Sequence, residues 1–109
     1  MAGNRIKVVV ADDHALIREG LSRVLSLDPA ISLVGEAEDG NHAVEITLEK
    51  KADVVLMDIN MPQMNGIEAC KLIREKSPQT RVIALTIHED EEYLFEMIRS
   101  GSSAYILKD

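Results

Sequence analysis

The sequence has few of the residues that build disulfide frameworks, cysteine-rich metal sites or aromatic cores. Its 109 residues include one cysteine, no tryptophan and 3% aromatic residues, although 46% of the residues are hydrophobic. A single cysteine, Cys70, excludes an internal disulfide and a zinc site built from several cysteines, and its neighbours Ile67 and Ile73 predict a buried thiol. A chain of this length forms one domain, whose core must consist of aliphatic side chains and methionine.

Long apolar runs and basic clusters are also absent. No run approaches the roughly 20 residues of a membrane span, and the N-terminus lacks the apolar region of a signal peptide. These absences predict a cytoplasmic protein without membrane contact. The formal net charge is −7, and because phosphate backbones are bound by clustered Lys and Arg, we expect no direct nucleic-acid binding by this chain. Glycine-rich nucleotide-binding motifs of the G-x-G-x-x-G and P-loop types are missing as well.

Short apolar runs alternate with segments of helical spacing along the whole chain. The runs predict five strands, at residues 6–11, 31–36, 53–57, 81–85 and 104–107. Apolar residues at helical spacing predict four helices, at residues 16–25, 43–48, 67–73 and 90–101. The pair Asp39-Gly40 is typical of a turn. Regular strand–helix alternation predicts an α/β fold, a doubly wound parallel sheet with helices on both faces.

Polar residues stand where the predicted strands end. Asp12 and Asp13 follow the first strand, Asp58 the third, Thr86 the fourth and Lys108 the fifth. Parallel strands bring these ends to one edge of the sheet, where such proteins bind their ligands. Crowded carboxylates repel each other unless a cation joins them, and oxygen ligands favour Mg²⁺. A carboxylate can also act as a nucleophile towards phosphorus; the alternative for Asp58 alone is a turn or a helix cap.

Five segments carry a family resemblance that extends over essentially the whole chain. They are Ala-Asp-Asp-His at 11–14, Leu-Val-Gly-Glu-Ala at 33–37, Leu-Met-Asp-Ile-Asn-Met-Pro at 56–62, Ala-Leu-Thr at 84–86 and Ser-Ala-Tyr-Ile-Leu-Lys-Asp at 103–109. The sequence resembles the response-regulator receiver domains of two-component systems, of the NarL/FixJ (LuxR-type) family. The resemblance implies a flavodoxin-like five-stranded sheet of order 2-1-3-4-5. It also implies that residues 1–109 are one receiver domain, truncated before its last helix.

The resemblance implies a phosphoacceptor and a metal site. Asp58 would accept a phosphoryl group from a sensor histidine kinase. Mg²⁺ would be bound by Asp13, Asp58 and the backbone carbonyl of Asn60, with Asp12 acting through water. The chain would then catalyse only its own phosphotransfer and dephosphorylation, and would not be an enzyme for other substrates.

The resemblance also implies a switch. Thr86 and Lys108 would contact the phosphoryl group, and Thr86 and Tyr105 would form the switch pair. Two positions depart from the family pattern. Ile87 stands where a small residue is usual, which predicts narrower access to the phosphorylation pocket, and Asp109 stands where many receivers have a cis proline.

Partners and alternative functions complete these expectations. DNA would be reached through an effector domain outside this chain, and an uncovered apolar sheet face predicts a homodimer or a domain-swapped oligomer. One alternative is a Mg²⁺-dependent phosphohydrolase of the haloacid dehalogenase type, which needs a second acid where Asn60 stands. Another is a receiver that cannot be phosphorylated and serves only protein interaction. The three histidines, His14, His42 and His88, lack ligand spacing and are predicted to be exposed or locally bonded.

Overall fold

The structure, a computed structural model, describes residues 5–58, 66–86 and 104–107, and of residues 66, 86 and 104–107 it describes the backbone alone. The strands are β1 (Ile6–Ala11), β2 (Ile31–Ala37), β3 (Val54–Asp58), β4 (Arg81–Thr86) and β5 (Ala104–Leu107). The helices are α1 (Ala15–Ser26), α2 (Gly40–Lys50) and α3 (Gly66–Lys76). The helix predicted at 90–101 lies outside the described residues.

The strands form one parallel five-stranded sheet of order β2-β1-β3-β4-β5. This order confirms the predicted doubly wound α/β fold. The chain first moves from β1 to β2 and then crosses back to β3 on the other side of β1. Because such crossovers are right-handed, α1 lies on one face of the sheet, and α2 and α3 lie on the opposite face. The strand order reverses beside β1, so a crevice opens between the ends of β1 and β3.

The main core lies between the sheet and the two helices α2 and α3. Alternate residues of the central strands point to this face, as the two-residue period of a strand requires. Its fully buried members include Val9, Val55, Met57, Ala69, Cys70, Ile73 and Val82. Cys70 is therefore a core thiol and Met57 a core side chain, as their sequence context predicts.

The helix α1 covers β1 and β2 on the other face. Three of its apolar residues, Ile17, Leu21 and Leu25, are half-buried. Leu16 and Val24 share the apolar helical pattern but are 83% and 66% exposed, contrary to the inward position that the pattern predicts. The apolar stripe of α1 is wider than the strip of sheet that the helix covers, so one edge of it faces solvent.

Helix and strand ends differ from the predictions at a few places. Asp39 does not form a turn with Gly40; its carboxylate accepts a hydrogen bond from the backbone N–H of His42 at 2.8 Å, and Gly40 is the first residue of α2. The predicted turn is therefore wrong, because Asp caps helices as readily as it enters turns. At the other end of α2, Lys51 adopts a left-handed conformation with φ of 52°. None of the described helices has the length and apolar character that crossing a membrane requires.

Candidate functional site

The first acidic residues of the site follow β1. Asp12 is fully buried, although it is an acidic residue. Its backbone N–H donates to the carbonyl oxygen of Ala37 at 3.0 Å, which extends the β1–β2 pairing beyond the end of the strand. Its carboxylate accepts the backbone N–H of His14 at 2.8 Å, a contact that fixes the turn leading into α1. Asp13 lies between them, with its side chain partly exposed.

The third acid comes from the neighbouring strand. Asp58 is the last residue of β3, and its side chain is 3% exposed. Because Ala11 pairs with Met57 across the sheet, the residues that follow them, Asp12 and Asp58, lie side by side at the same edge. The parallel register thus brings together two acids that are far apart in the sequence, as predicted.

These acids form a compact cluster with His14. One ligand atom each from Asp12, Asp13, His14 and Asp58 lies within 4.8 Å of all the others. The Nδ1 atom of His14 lies 3.0 Å from Asp12 Oδ1, 3.2 Å from Asp13 Oδ1 and 3.8 Å from Asp58 Oδ2. At these distances His14 Nδ1 lies within hydrogen-bonding reach of Asp12 Oδ1 and Asp13 Oδ1. His14 is locally bonded, as predicted, but no sequence pattern predicts that it joins the acids; the available signal is its place directly after Asp13.

The donor set of the cluster fits Mg²⁺. Two buried carboxylates at the ends of neighbouring strands repel each other, and a divalent cation between them removes that repulsion. The oxygens of Asp12, Asp13 and Asp58 are the hard ligands that Mg²⁺ prefers, and it commonly uses only one or two of them directly. The imidazole of His14 is not a ligand of this kind and lies at the exposed rim.

The remaining predicted site residues are described in part or not at all. Thr86 is the last residue of β4 and directly follows Leu85, which pairs with Asp58. Tyr105 lies in β5 and pairs with Ala84. The side chains of Thr86 and Tyr105 are outside what the structure describes. Four other residues lie entirely outside what the structure describes: Asn60, Ile87, His88 and Lys108.

Comparison with known proteins agrees with this geometry. The model of the family "response regulator receiver domain" matches residues 8–109. The transcriptional regulatory protein DegU of Brevibacillus brevis is 43% identical over 106 residues, which are 97% of this chain and 45% of that protein. This chain thus spans about half the length of the curated relatives it matches.

Solved structures show the same fold. The receiver domain of the putative response regulator NarL of Mycobacterium tuberculosis superposes with a TM-score of 0.93 at 36% identity, covering 98% of this chain and 86% of that one. A complex of CheX with CheY, BeF3 and Mg from Borrelia burgdorferi gives a TM-score of 0.88 at 25% identity, covering 95% and 78%. From its family match, its relatives and its fold, this chain belongs to the response regulator receiver domains.

Proposed function

We propose that this receiver domain, comprising residues 1–109, is activated by phosphorylation of Asp58 by a sensor histidine kinase. The observation that carries the proposal is the position of the Asp58 carboxylate, which is 3% exposed and lies within 4.8 Å of the acidic groups of Asp12 and Asp13. A carboxylate held among other acids is a poor choice for structural stability alone, because each added negative charge raises the cost of burial. Binding of a divalent cation for phosphoryl transfer would explain why these acids are clustered.

The transfer requires a nucleophile and neutralisation of charge. An Asp58 carboxylate oxygen attacks the phosphorus of the kinase phosphohistidine, and the phosphorus–nitrogen bond breaks. The imidazole leaves with the electron pair and takes up a proton, and Asp58 becomes an aspartyl phosphate. Asp13, Asp58 and the Asn60 carbonyl would hold Mg²⁺, and Asp12 would act through water. When bound, Mg²⁺ offsets the negative charge that the phosphoryl oxygens bring into the site.

The response to phosphorylation is assigned to residues at the ends of β4 and β5. Thr86 and Lys108 contact the phosphoryl group, and a shift of Thr86 is coupled to repacking of Tyr105. The matched relative DegU is named a transcriptional regulatory protein, which supports transcription as the output of the full-length protein. The net charge of −7 makes residues 1–109 unsuited to direct contact with DNA, so DNA would be contacted by an effector domain outside them.

The test is phosphorylation by acetyl phosphate in the presence of Mg²⁺, followed by intact-protein mass spectrometry. The wild-type chain should gain the mass of one phosphoryl group, and Asp58→Asn should gain none. Glu45→Gln serves as the matched control because it removes one carboxylate charge at an exposed position on α2. Labelling that persists in Asp58→Asn, or that is equally lost in Glu45→Gln, would overturn the assignment.

The same samples separate the two alternative functions. Repeated turnover of a phosphomonoester by the wild-type chain would favour a phosphohydrolase. A chain that binds neither Mg²⁺ nor beryllofluoride would be a receiver for protein interaction alone. A single labelling event that decays by hydrolysis of the aspartyl phosphate is the result expected of a switch.

A further inference from the structure

Arg18 connects helix α1 to the acidic loop. It lies in the first turn of α1, where its backbone N–H donates to the carbonyl oxygen of His14 at 3.0 Å. Its side chain is 15% exposed and folds back to the end of β1, where Nη1 donates to the backbone carbonyl oxygen of Asp12 at 2.6 Å. A charge-assisted bond of this length to a backbone carbonyl is strong and directional.

We propose that Arg18 is a positioning residue for Mg²⁺ binding, which acts by fixing the peptide between Asp12 and Asp13. This inference rests on the proposed function, because it concerns the same cation site. Arg18 contacts the acidic loop at a backbone atom, the carbonyl oxygen of Asp12. It holds the backbone from which two of the carboxylates project.

The Asp12 backbone is held from both sides. On one side its N–H donates to Ala37 on β2, and on the other its carbonyl accepts from Arg18. That carbonyl belongs to the same planar unit as the backbone nitrogen and the Cα atom of Asp13, so fixing its direction fixes the position of the Cα atom from which the Asp13 side chain leaves the backbone. Asp13 follows the strand and has no place in the sheet pairing. The bond from Arg18 therefore links α1 to the backbone before Asp13, beside the contact of His14 Nδ1 with Asp13 Oδ1 at 3.2 Å.

The charge of Arg18 opposes cation binding. The direction in which the affinity for Mg²⁺ changes when Arg18 is removed therefore tests its role. A guanidinium near a cation site repels the cation. Its Nε lies 3.6 Å from Glu36 Oε1 and its Nη2 lies 3.7 Å from Glu38 Oε1, so two acids at the end of β2 offset part of this charge. If Arg18 acted through its field alone, its removal would strengthen Mg²⁺ binding. If it acts by positioning, its removal weakens binding.

The experiment is a titration of the chain with Mg²⁺ by isothermal calorimetry, with thermal unfolding measured on the same samples. Arg18→Met retains the aliphatic stem and removes the donors and the charge. Loss of a group that orients metal ligands typically lowers the affinity for the metal by about 10–100-fold. For Arg18→Met we expect the affinity for Mg²⁺ to fall by about 10-fold. Arg18→Lys keeps a charged donor but lacks the planar guanidinium group with its several N–H donors. Its affinity for Mg²⁺ should therefore lie between those of Arg18→Met and the wild type.

Arg23→Met is the matched control. Arg23 lies on the same helix, is 79% exposed and pairs only weakly with Glu19, at 3.5 Å. The Arg23→Met variant should bind Mg²⁺ with the affinity of the wild type. An Arg18→Met variant that melts like the wild type and binds Mg²⁺ equally well or more tightly would overturn the positioning role. If Arg18→Met does not fold, Arg18→Lys decides, since wild-type affinity in that variant contradicts the proposal.

Failure of the positioning role and failure of the proposed function give different results. If the wild-type chain binds Mg²⁺ and is phosphorylated on Asp58, and Arg18→Met binds Mg²⁺ with the same affinity, only the positioning role of Arg18 is contradicted. A wild-type chain that shows no Mg²⁺ binding removes both.

Discussion

Gly35 of β2 lies directly under Ile46 of α2: a Cβ atom at position 35 would lie 2.9 Å from Ile46 Cγ1 and closer still to its Cδ1. The close approach coincides with an irregularity in the pairing of β1 with β2, between Val8 and Val9. A side chain at position 35 would have to displace the Ile46 side chain, so the close packing of α2 on the sheet favours glycine here.

The first prediction follows from this contact. Gly35→Ala should lower the free energy of unfolding by about 1–3 kcal/mol, because the added methyl group overpacks the site. Gly20→Ala makes the same chemical change in the middle of α1, where no atom of the residues that the structure describes lies within 4 Å of the added Cβ. It should raise stability by about 0.5–1 kcal/mol, the difference between Ala and Gly in a helix. Urea unfolding of the two variants checks both values, and shifts of equal sign would contradict the packing argument.

A second prediction concerns a buried pair of hydroxyl groups. Thr80 is fully buried; its Oγ1 donates to the carbonyl oxygen of Ala52 at 2.7 Å and lies 2.7 Å from Ser77 Oγ. Thr80→Val keeps the shape of the side chain but removes the hydroxyl that bonds to Ala52 O and Ser77 Oγ. It should therefore lower the free energy of unfolding by about 1–3 kcal/mol. Ser77→Ala leaves the bond to Ala52 intact and should cost less. Equal losses in chemical denaturation would show that the bond to Ala52 contributes little.

The third prediction is a loss of stability at high pH. Burial raises the pKa of the Cys70 thiol from 9.0 to about 11, and the charge of Arg74 partly opposes this shift. Between these pH values the unfolded chain releases the thiol proton and the folded chain keeps it, so unfolding becomes more favourable as pH rises. The complete loss, reached once the pH exceeds the pKa in the folded chain, is on the order of 3 kcal/mol.

Thermal melts between pH 8 and pH 11 test this window, with Cys70→Ala as the control. The variant should lack this component of the pH dependence, although it begins with lower stability because it leaves a small cavity. A wild-type chain whose pH dependence matches that of Cys70→Ala would contradict the assignment.

The fourth prediction concerns Mg²⁺ and stability. A ligand that binds only the folded chain stabilises it by about 2.7 kcal/mol at one hundred times its dissociation constant. Mg²⁺ should therefore raise the melting temperature of the wild-type chain, and EDTA should reverse the increase. Asp13→Asn should remove most of the effect, whereas Glu45→Gln, on the exposed side of α2, should retain it. A similar response in both variants would place the cation elsewhere.

Much of the fold could be predicted because burial leaves a simple pattern in the sequence. The short runs rich in Val, Ile and Leu identify the strands, and β1 and β5 have the predicted bounds. Asp58 was placed correctly at a strand end, although it is the last residue of β3 and does not follow it. The fold class follows from the alternation of elements, which local physics largely determines.

Other features depend on geometry that no local pattern contains. Asp39 can form a turn or cap a helix, and only the direction of the following chain decides between them. The exposure of Leu16 depends on how much of the sheet α1 covers. His14 and Arg18 reach the acidic loop because α1 begins immediately after it, and their partners depend on the conformation of that loop.

The central place of β1 has a consequence for how the site comes into being. β1 pairs with β2 on one side and with β3 on the other, so the acids at its end meet Asp58 only after a long loop has closed. Closing such loops is entropically costly, so non-local parallel pairing of this kind forms slowly. No contiguous fragment that ends before β3 contains the cation site. If the cluster binds Mg²⁺ as proposed, that binding requires the middle of the sheet to be assembled, and folding of the sheet and binding of the cation are thermodynamically linked.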